Sequence, residues 1–73
     1  MRRAEVEAEV DHVPFKPFRL HLVSGKTLDL QHSDEGWMLN NSILVTRHRK
    51  GGNRSYDVVS LMNIERIERI GGV

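Results

Sequence analysis

The 73-residue sequence contains no cysteine. That excludes a disulfide framework and any zinc site built on thiolates. No apolar run approaches the length of a membrane span, so no transmembrane segment is expected. Net charge is only +1, which argues neither for nor against a nucleic-acid partner. Residues 1 to 13 are acidic rather than basic-then-apolar, so a secretory signal is not expected and a cytoplasmic location is the default. Prolines number two and lie close together, at Pro14 and Pro17. Familiar catalytic and metal signatures are also missing. There is no Gly-x-Ser-x-Gly elbow, phosphate-binding loop, His-Glu-x-x-His run, Asp-rich loop or pair of carboxylates in a plausible cleft. His12, His21, His32 and His48 are scattered along the chain. The expectation is a protein that is not an enzyme and uses no metal and no cofactor.

What is present begins with Pro14 to Leu30. Phe18, Leu20 and Leu22 alternate with Arg19 and His21, and Leu28 and Leu30 alternate with Thr27, Asp29 and Gln31. Period-two alternation marks half-buried strands, because successive side chains point to opposite faces. Matching the apolar faces places Leu22 opposite Leu28 and Leu20 opposite Leu30, with Ser24-Gly25-Lys26 as a three-residue loop. On the outer face this register sets His21 against Asp29 and Arg19 against Gln31, a surface pairing rather than a catalytic dyad. The two prolines remove backbone donors and disfavour helix before them. Phe15 and Phe18 straddle Pro17 and read as core lids.

Upstream, Val6, Val10 and Val13 recur at helical spacing, with Glu5, Glu7 and Glu9 facing elsewhere, so residues 1–13 read as a short helix lying on a sheet. Downstream, Ser33 to Gly36 is a polar turn. Trp37, the single tryptophan, is expected in the core, with a stacking platform as the functional alternative. Ile43 to Arg49 reads as a strand, Gly51-Gly52 as a two-residue hairpin turn, and Arg54 to Val59 as the returning strand. Counting outward places Arg47 opposite Tyr56, Val45 opposite Val58 and Leu44 opposite Val59. Apolar residues then fall on both faces, which suggests one face inward and the other against the helix or a neighbouring subunit. Leu44, Val45, Val58, Val59 and Ile64 are the candidate interface residues.

Leu61, Ile64, Ile67 and Ile70 recur every three residues, a spacing that suits helix or strand. β-Branched isoleucine and the need for a sheet partner favour a closing strand over residues 64 to 70. Residues 71–73 read as a loose tail. The sum is one mainly β domain over residues 1–73: a short helix followed by five antiparallel strands closed into a small barrel, the middle strand long or bent around Gly36. A domain of this size buries only about 60% of its unfolded surface and often gains stability by oligomerising.

One concentrated charge feature stands out. Arg47, His48, Arg49 and Lys50, with Arg54 across the turn, gather at one hairpin tip. The functional reading is a finger that contacts the phosphates of RNA or DNA. The bland reading is a solvated tip that keeps the edge soluble. The acidic N-terminal helix could also dock against it.

The residues resemble two known groups. Pro14-Phe15-Lys16-Pro17-Phe18-Arg19-Leu20-His21-Leu22, the turn at Gly25 and Leu61 to Glu68 resemble short uncharacterised bacterial proteins that open Pro-Phe-x-Pro-Phe. A histidine is common after the second strand in that group and His32 matches it, whereas the usual following proline is Ser33 here. The group carries no established function to transfer. More distantly, Leu22 to Leu28 and Tyr56 to Ile67 look like the first hairpin and second motif of Sm-like proteins, especially the bacterial host-factor RNA chaperone. That resemblance implies a five-stranded barrel, rings in which the fourth strand of one subunit pairs with the fifth of the next, and single-stranded RNA binding. The chaperone's Lys-His pair falls on Leu61 and Met62, the frequent second-strand glycine on Leu30, and the Asp-x-x-Met-Asn spacing is not kept at Asp34 and Met38. The implied fold therefore comes without the RNA-binding turn.

A third resemblance joins the Phe18 to Leu30 hairpin and the Gly71-Gly72 tail to ubiquitin-like modifiers. It requires a helix of about three turns right after the hairpin. The expected role is thus an oligomeric binding or scaffolding module with a homo-oligomeric or protein partner. Nucleic-acid binding at the basic tip and a ubiquitin-like modifier are the alternatives.

Overall fold

The computed structural model describes residues 1–48 and 54–71, with Arg47, His48 and Arg54 described by backbone alone. Among the described residues the chain forms helix α1 (Arg3–Val10) and six strands: β1 (Phe18–Leu22), β2 (Thr27–Leu30), β3 (Gly36–Met38), β4 (Ser42–His48), β5 (Arg54–Ser60) and β6 (Ile64–Arg69). One-turn 3-10 segments at Ser33–Glu35 and Leu61–Asn63 link β2 to β3 and β5 to β6. The strands make two antiparallel sheets, ordered β2-β1-β6 and β3-β4-β5.

This corrects the expected closed five-stranded barrel. The bent middle strand is two strands, and neither sheet closes on the other. The break is chemical. The buried carboxylate of Glu35 accepts the backbone N–H of Gln31 and of His32, each at 2.6 Å. Those donors are thereby turned away from a continuing ladder, and the chain changes sheets over one 3-10 turn. Gly36 then starts β3 in a tight space, since a Cβ there would lie 2.6 Å from Cδ2 of Leu30 and force it to shift.

The first hairpin keeps its expected faces but not its expected register. Phe18 pairs with Leu30, Arg19 with Asp29, Leu20 with Leu28 and His21 with Thr27. The loop is Val23-Ser24-Gly25, closed by Leu22 N–H to Lys26 O at 2.9 Å and Gly25 N–H to Leu22 O at 2.9 Å. Gly25 has φ +94°. A three-residue loop of this kind is a type I turn ended by a left-handed residue. The glycine must come last rather than in the middle, which moves the pairing by two residues. The second hairpin differs by one. Ile43 faces Val59, Leu44 faces Val58, Thr46 faces Tyr56 and Arg47 faces Ser55. The expected Arg47–Tyr56 and Val45–Val58 pairs are therefore absent. The expected Gly51-Gly52 turn lies outside the described residues.

Residues 64 to 69 are a strand, as β-branching suggested, although Ile70 lies just beyond it. A bulge in the β1–β6 pairing between His21 and Leu22 puts Leu20 against Ile67 and Leu22 against Ile64. Two isoleucines three residues apart thereby face one core.

That core lies between the sheets. Phe18, Leu20, Leu30, Ile43 and Val45 are fully buried, and Val6 of α1 completes it. The rings of Phe15 and Phe18 sit 5.8 Å apart, Phe15 half-buried against the cluster. The helix is shorter than expected. It stops at Val10, and Val13 is 89% exposed rather than part of the apolar stripe. Pro14 keeps Val13 out of helical backbone, and the helix ends earlier still, with Asp11 as its cap. Glu7 pairs with Arg3 and Glu9 with Arg69, 2.7 Å away. These two acidic side chains therefore serve α1 and β6. Between β2 and β4 stand only a 3-10 turn and β3, so the helix that a ubiquitin-like fold requires is not there.

Candidate functional site

The outer faces of the two sheets differ in chemistry. On β2-β1-β6 the face is ionic. Arg19 donates to both carboxylate oxygens of Asp29, at 2.7 and 3.1 Å. His21 Nε2 lies 2.8 Å from Glu68 Oε1, and Arg19 Nη1 lies 3.8 Å from the same oxygen. The hydrogen bond and charge of Arg19 hold the Asp29 carboxyl below its usual range. The hydrogen bond from His21, aided by the charges of His21, Arg19 and Arg66, does the same for Glu68. In return Asp29 raises the affinity of Arg19 for its proton. The expected His21–Asp29 and Arg19–Gln31 pairs are replaced by Arg19–Asp29 and His21–Glu68. The residue that sequence reasoning missed is Glu68, because its contact with His21 depends on β6 returning to β1 from 47 residues away.

On β3-β4-β5 the outer face carries an apolar row flanked by hydroxyl side chains. Trp37 stands opposite Leu44, which stands opposite Val58, and Tyr56 follows beside Thr46. Trp37 is 50% exposed, Val58 55% and Tyr56 66%. Trp37 is therefore a surface residue and not a core residue. Its side of the strand is set by Gly36 and Met38, whose alternation turns the neighbouring positions inward.

The five candidate interface residues separate. Val45, Val59 and Ile64 are buried in the chain's own core, Leu44 is half-buried, and Val58 is exposed. Alternation within each strand sends Val45 and Val59 to the opposite face from Leu44 and Val58. Of the candidate nucleic-acid residues, Arg49 and Lys50 lie outside the described residues. Arg47 and His48 end β4 and Arg54 begins β5, placed by backbone register alone.

Among the described residues the sheets leave four edges, β5 and β6 included. Beside β5 runs a groove with two lobes that share Leu22, Val58 and Val59. One lobe, of about 420 Å³, is lined also by Val23, Ser24 and Asn63. The other, of about 360 Å³, reaches Lys26, Thr27, Leu28 and Asp57. The groove is what remains where β5 and the first hairpin approach without pairing. Its walls are aliphatic and polar side chains in equal number.

Among the described residues no group of three or more His, Asp or Glu could hold a metal ion, and no helix is long and apolar enough to cross a membrane. No protein-family model, curated protein or solved structure matches this chain.

Proposed function

We propose that the protein is a small self-assembling β module of Sm-like type, non-enzymatic, acting as an oligomeric binding or scaffolding unit. The observation that carries this reading is the pair of free edges, β5 beside its groove and β6 on the other sheet. An unpaired strand edge is a template for another strand. All strand pairs among the described residues are antiparallel, so β6 of one copy added to β5 of the next continues the same pattern. Because the two edges differ, the contact is head-to-tail, and it closes into a ring if the rotation permits. Element order supports the Sm-like comparison. A helix leads, a hairpin follows, a broken middle segment crosses between sheets, and a one-turn 3-10 link delivers the last strand back to β1. The departures at Leu61 and Met62 fit a module whose turn holds apolar residues where the RNA chaperone carries Lys-His.

The test is sedimentation velocity on the full chain over a wide concentration range, with a Val58→Lys variant. Val58 is exposed and lines both lobes, so lysine is tolerated by the fold and opposes an incoming strand. Expected is a concentration-dependent oligomer that Val58→Lys dissociates while circular dichroism stays native. A strict monomer at high concentration overturns the reading.

A second reading has separate support. Trp37 and Tyr56 share one exposed face, and β4 and β5 are joined by the most cationic stretch of the chain, Arg47 to Arg54. Exposed rings on strands joined by a cationic stretch suit single-stranded RNA or DNA, where bases stack and phosphates meet charge. Anisotropy titration of an unstructured oligonucleotide at low salt tests it. Loss of roughly tenfold in affinity on Trp37→Ala is expected, within the usual worth of one stacked base. No binding at low salt overturns it.

A further inference from the structure

Charge is divided unevenly along the chain. Between Gly36 and Asn63 stand four lysine or arginine residues and one acidic residue, Asp57, whereas the rest of the chain holds seven and nine. Alternation puts Asp57 on the inner side of its sheet, since it pairs with the fully buried Val45. The carboxylate of Glu35, just before β3, is buried against the N–H groups of Gln31 and His32. Among the described side chains, therefore, the outer face of β3-β4-β5 carries no charge. It offers Trp37, Leu44, Val58, Thr46 and Tyr56, with serines where Ser42 pairs with Ser60. The outer face of β2-β1-β6 instead presents the part-exposed carboxylates of Asp29 and Glu68. A polyanion thus meets carboxylates on one sheet and none on the other.

We propose that a single nucleic-acid strand crosses this face on a diagonal, with one base on Trp37, a second on Tyr56 and at least one nucleotide between them over Leu44 and Val58. The proposal rests on the nucleic-acid reading above and gives it a path and a footprint. Trp37, Leu44 and Val58 form one row across three strands, and Tyr56 lies two residues along β5 from Val58. Strands about 4.8 Å apart, with a rise of about 3.4 Å per residue, put the Cα atoms of Trp37 and Tyr56 about 12 Å apart. Bases stacked in a strand are only about 3.4 Å apart, so one stacked pair cannot serve both rings. Both rings are at least half exposed, and aromatic side chains standing on a sheet take unstacked bases of a single strand. A double helix keeps those base faces covered. The step from Trp37 to Tyr56 also runs along β5 toward its start at Arg54, on the side of the chain's cationic stretch. Phosphates are therefore favoured in that direction. The footprint is about four nucleotides, at the small end of single-strand sites.

The test uses the full chain and oligothymidylates of increasing length at low salt. Trp37 is the only tryptophan, so quenching of its fluorescence reports a base on that ring. Quenching by a tetramer is expected, with affinity that climbs steeply up to about four nucleotides and slowly beyond. Trp37→Ala and Tyr56→Ala are each expected to weaken binding of the tetramer roughly tenfold, with native circular dichroism, and Trp37→Phe to retain it. An abasic site at one position of the tetramer is expected to cancel the effect of Trp37→Ala, and one at a non-adjacent position that of Tyr56→Ala. If Tyr56→Ala binds like wild type, or if one base or two adjacent bases account for both rings, the path is wrong and the reading at Trp37 stands. If Trp37→Ala keeps its affinity for the oligonucleotide but breaks up an oligomer, the face is a protein contact and the proposal falls. If no oligonucleotide binds at low salt, the proposal and the reading it rests on fall together.

Discussion

His21 Nε2 and Glu68 Oε1 lie 2.8 Å apart and join β1 to β6. Glu68 also receives the charge of Arg19, which holds Asp29 on the far side of β1. One ionic row thus crosses all three strands of the sheet. Both carboxyl groups titrate lower in the folded chain than when free. Their stabilising contribution is therefore complete above the ordinary carboxylate range and is lost as pH falls through their folded values. Thermal unfolding measured between about pH 7 and about pH 3 is expected to show a Tm that drops with acid. In Glu68→Gln and Asp29→Asn that drop is smaller, and the variants start from a lower Tm at neutral pH. An acid dependence identical in wild type and both variants would refute the assignment.

Glu35 is the residue that divides the middle strand. Glu35→Ala leaves the N–H groups of Gln31 and His32 without their acceptor. Unfolding in urea is expected to show a loss of about 1.5–3 kcal/mol, the usual worth of a hydrogen bond to a charged group. Glu35→Gln keeps one side-chain carbonyl and is expected to lose less.

Two glycines are needed for different reasons, and alanine separates them. At Gly36 the added Cβ meets the fully buried Leu30, so Gly36→Ala is expected to cost about 1–3 kcal/mol by overpacking. At Gly25 nothing lies within 4 Å of the added Cβ, and only the positive φ opposes it. Gly25→Ala is expected to cost on the order of 1 kcal/mol. Its effect falls mainly on the hairpin, which hydrogen exchange of Leu22 and Gly25 would report.

Val6 is fully buried on a helix of eight residues. So short a helix has little stability of its own. Val6→Ala removes the contact that docks it, and loss of helical ellipticity is expected before the strands unfold. Helical signal that persists to the global transition would show that other contacts suffice.

Much of this architecture was legible in residue order. Alternation in Phe18–Leu22 and Leu28–Leu30 identified both strands of the first hairpin and which face is buried. The proline at 14 barred helix at Val13, although the helix already ends at Val10, and β-branching at Ile64 and Ile67 selected strand. Registers were less legible. Loop geometry, not strand content, moved the first hairpin by two residues and exchanged the partners of Arg19 and His21. Trp37 was misplaced because size and hydropathy favour burial, whereas its side of β3 is dictated by the neighbouring Gly36 and Met38.

By itself, then, the sequence determined the strands of the first hairpin with their apolar faces, the closing strand, and the absence of thiols and of familiar catalytic motifs, because these depend on residues near one another in the chain. Only the tertiary structure decided that two sheets stay open, that Glu35 breaks the middle strand, and that Glu68 reaches His21. It also left Val58 and Met62 outside the core, beside free edges. Those outcomes depend on contacts between distant segments, where a shift of one residue in pairing reverses which side chain meets water.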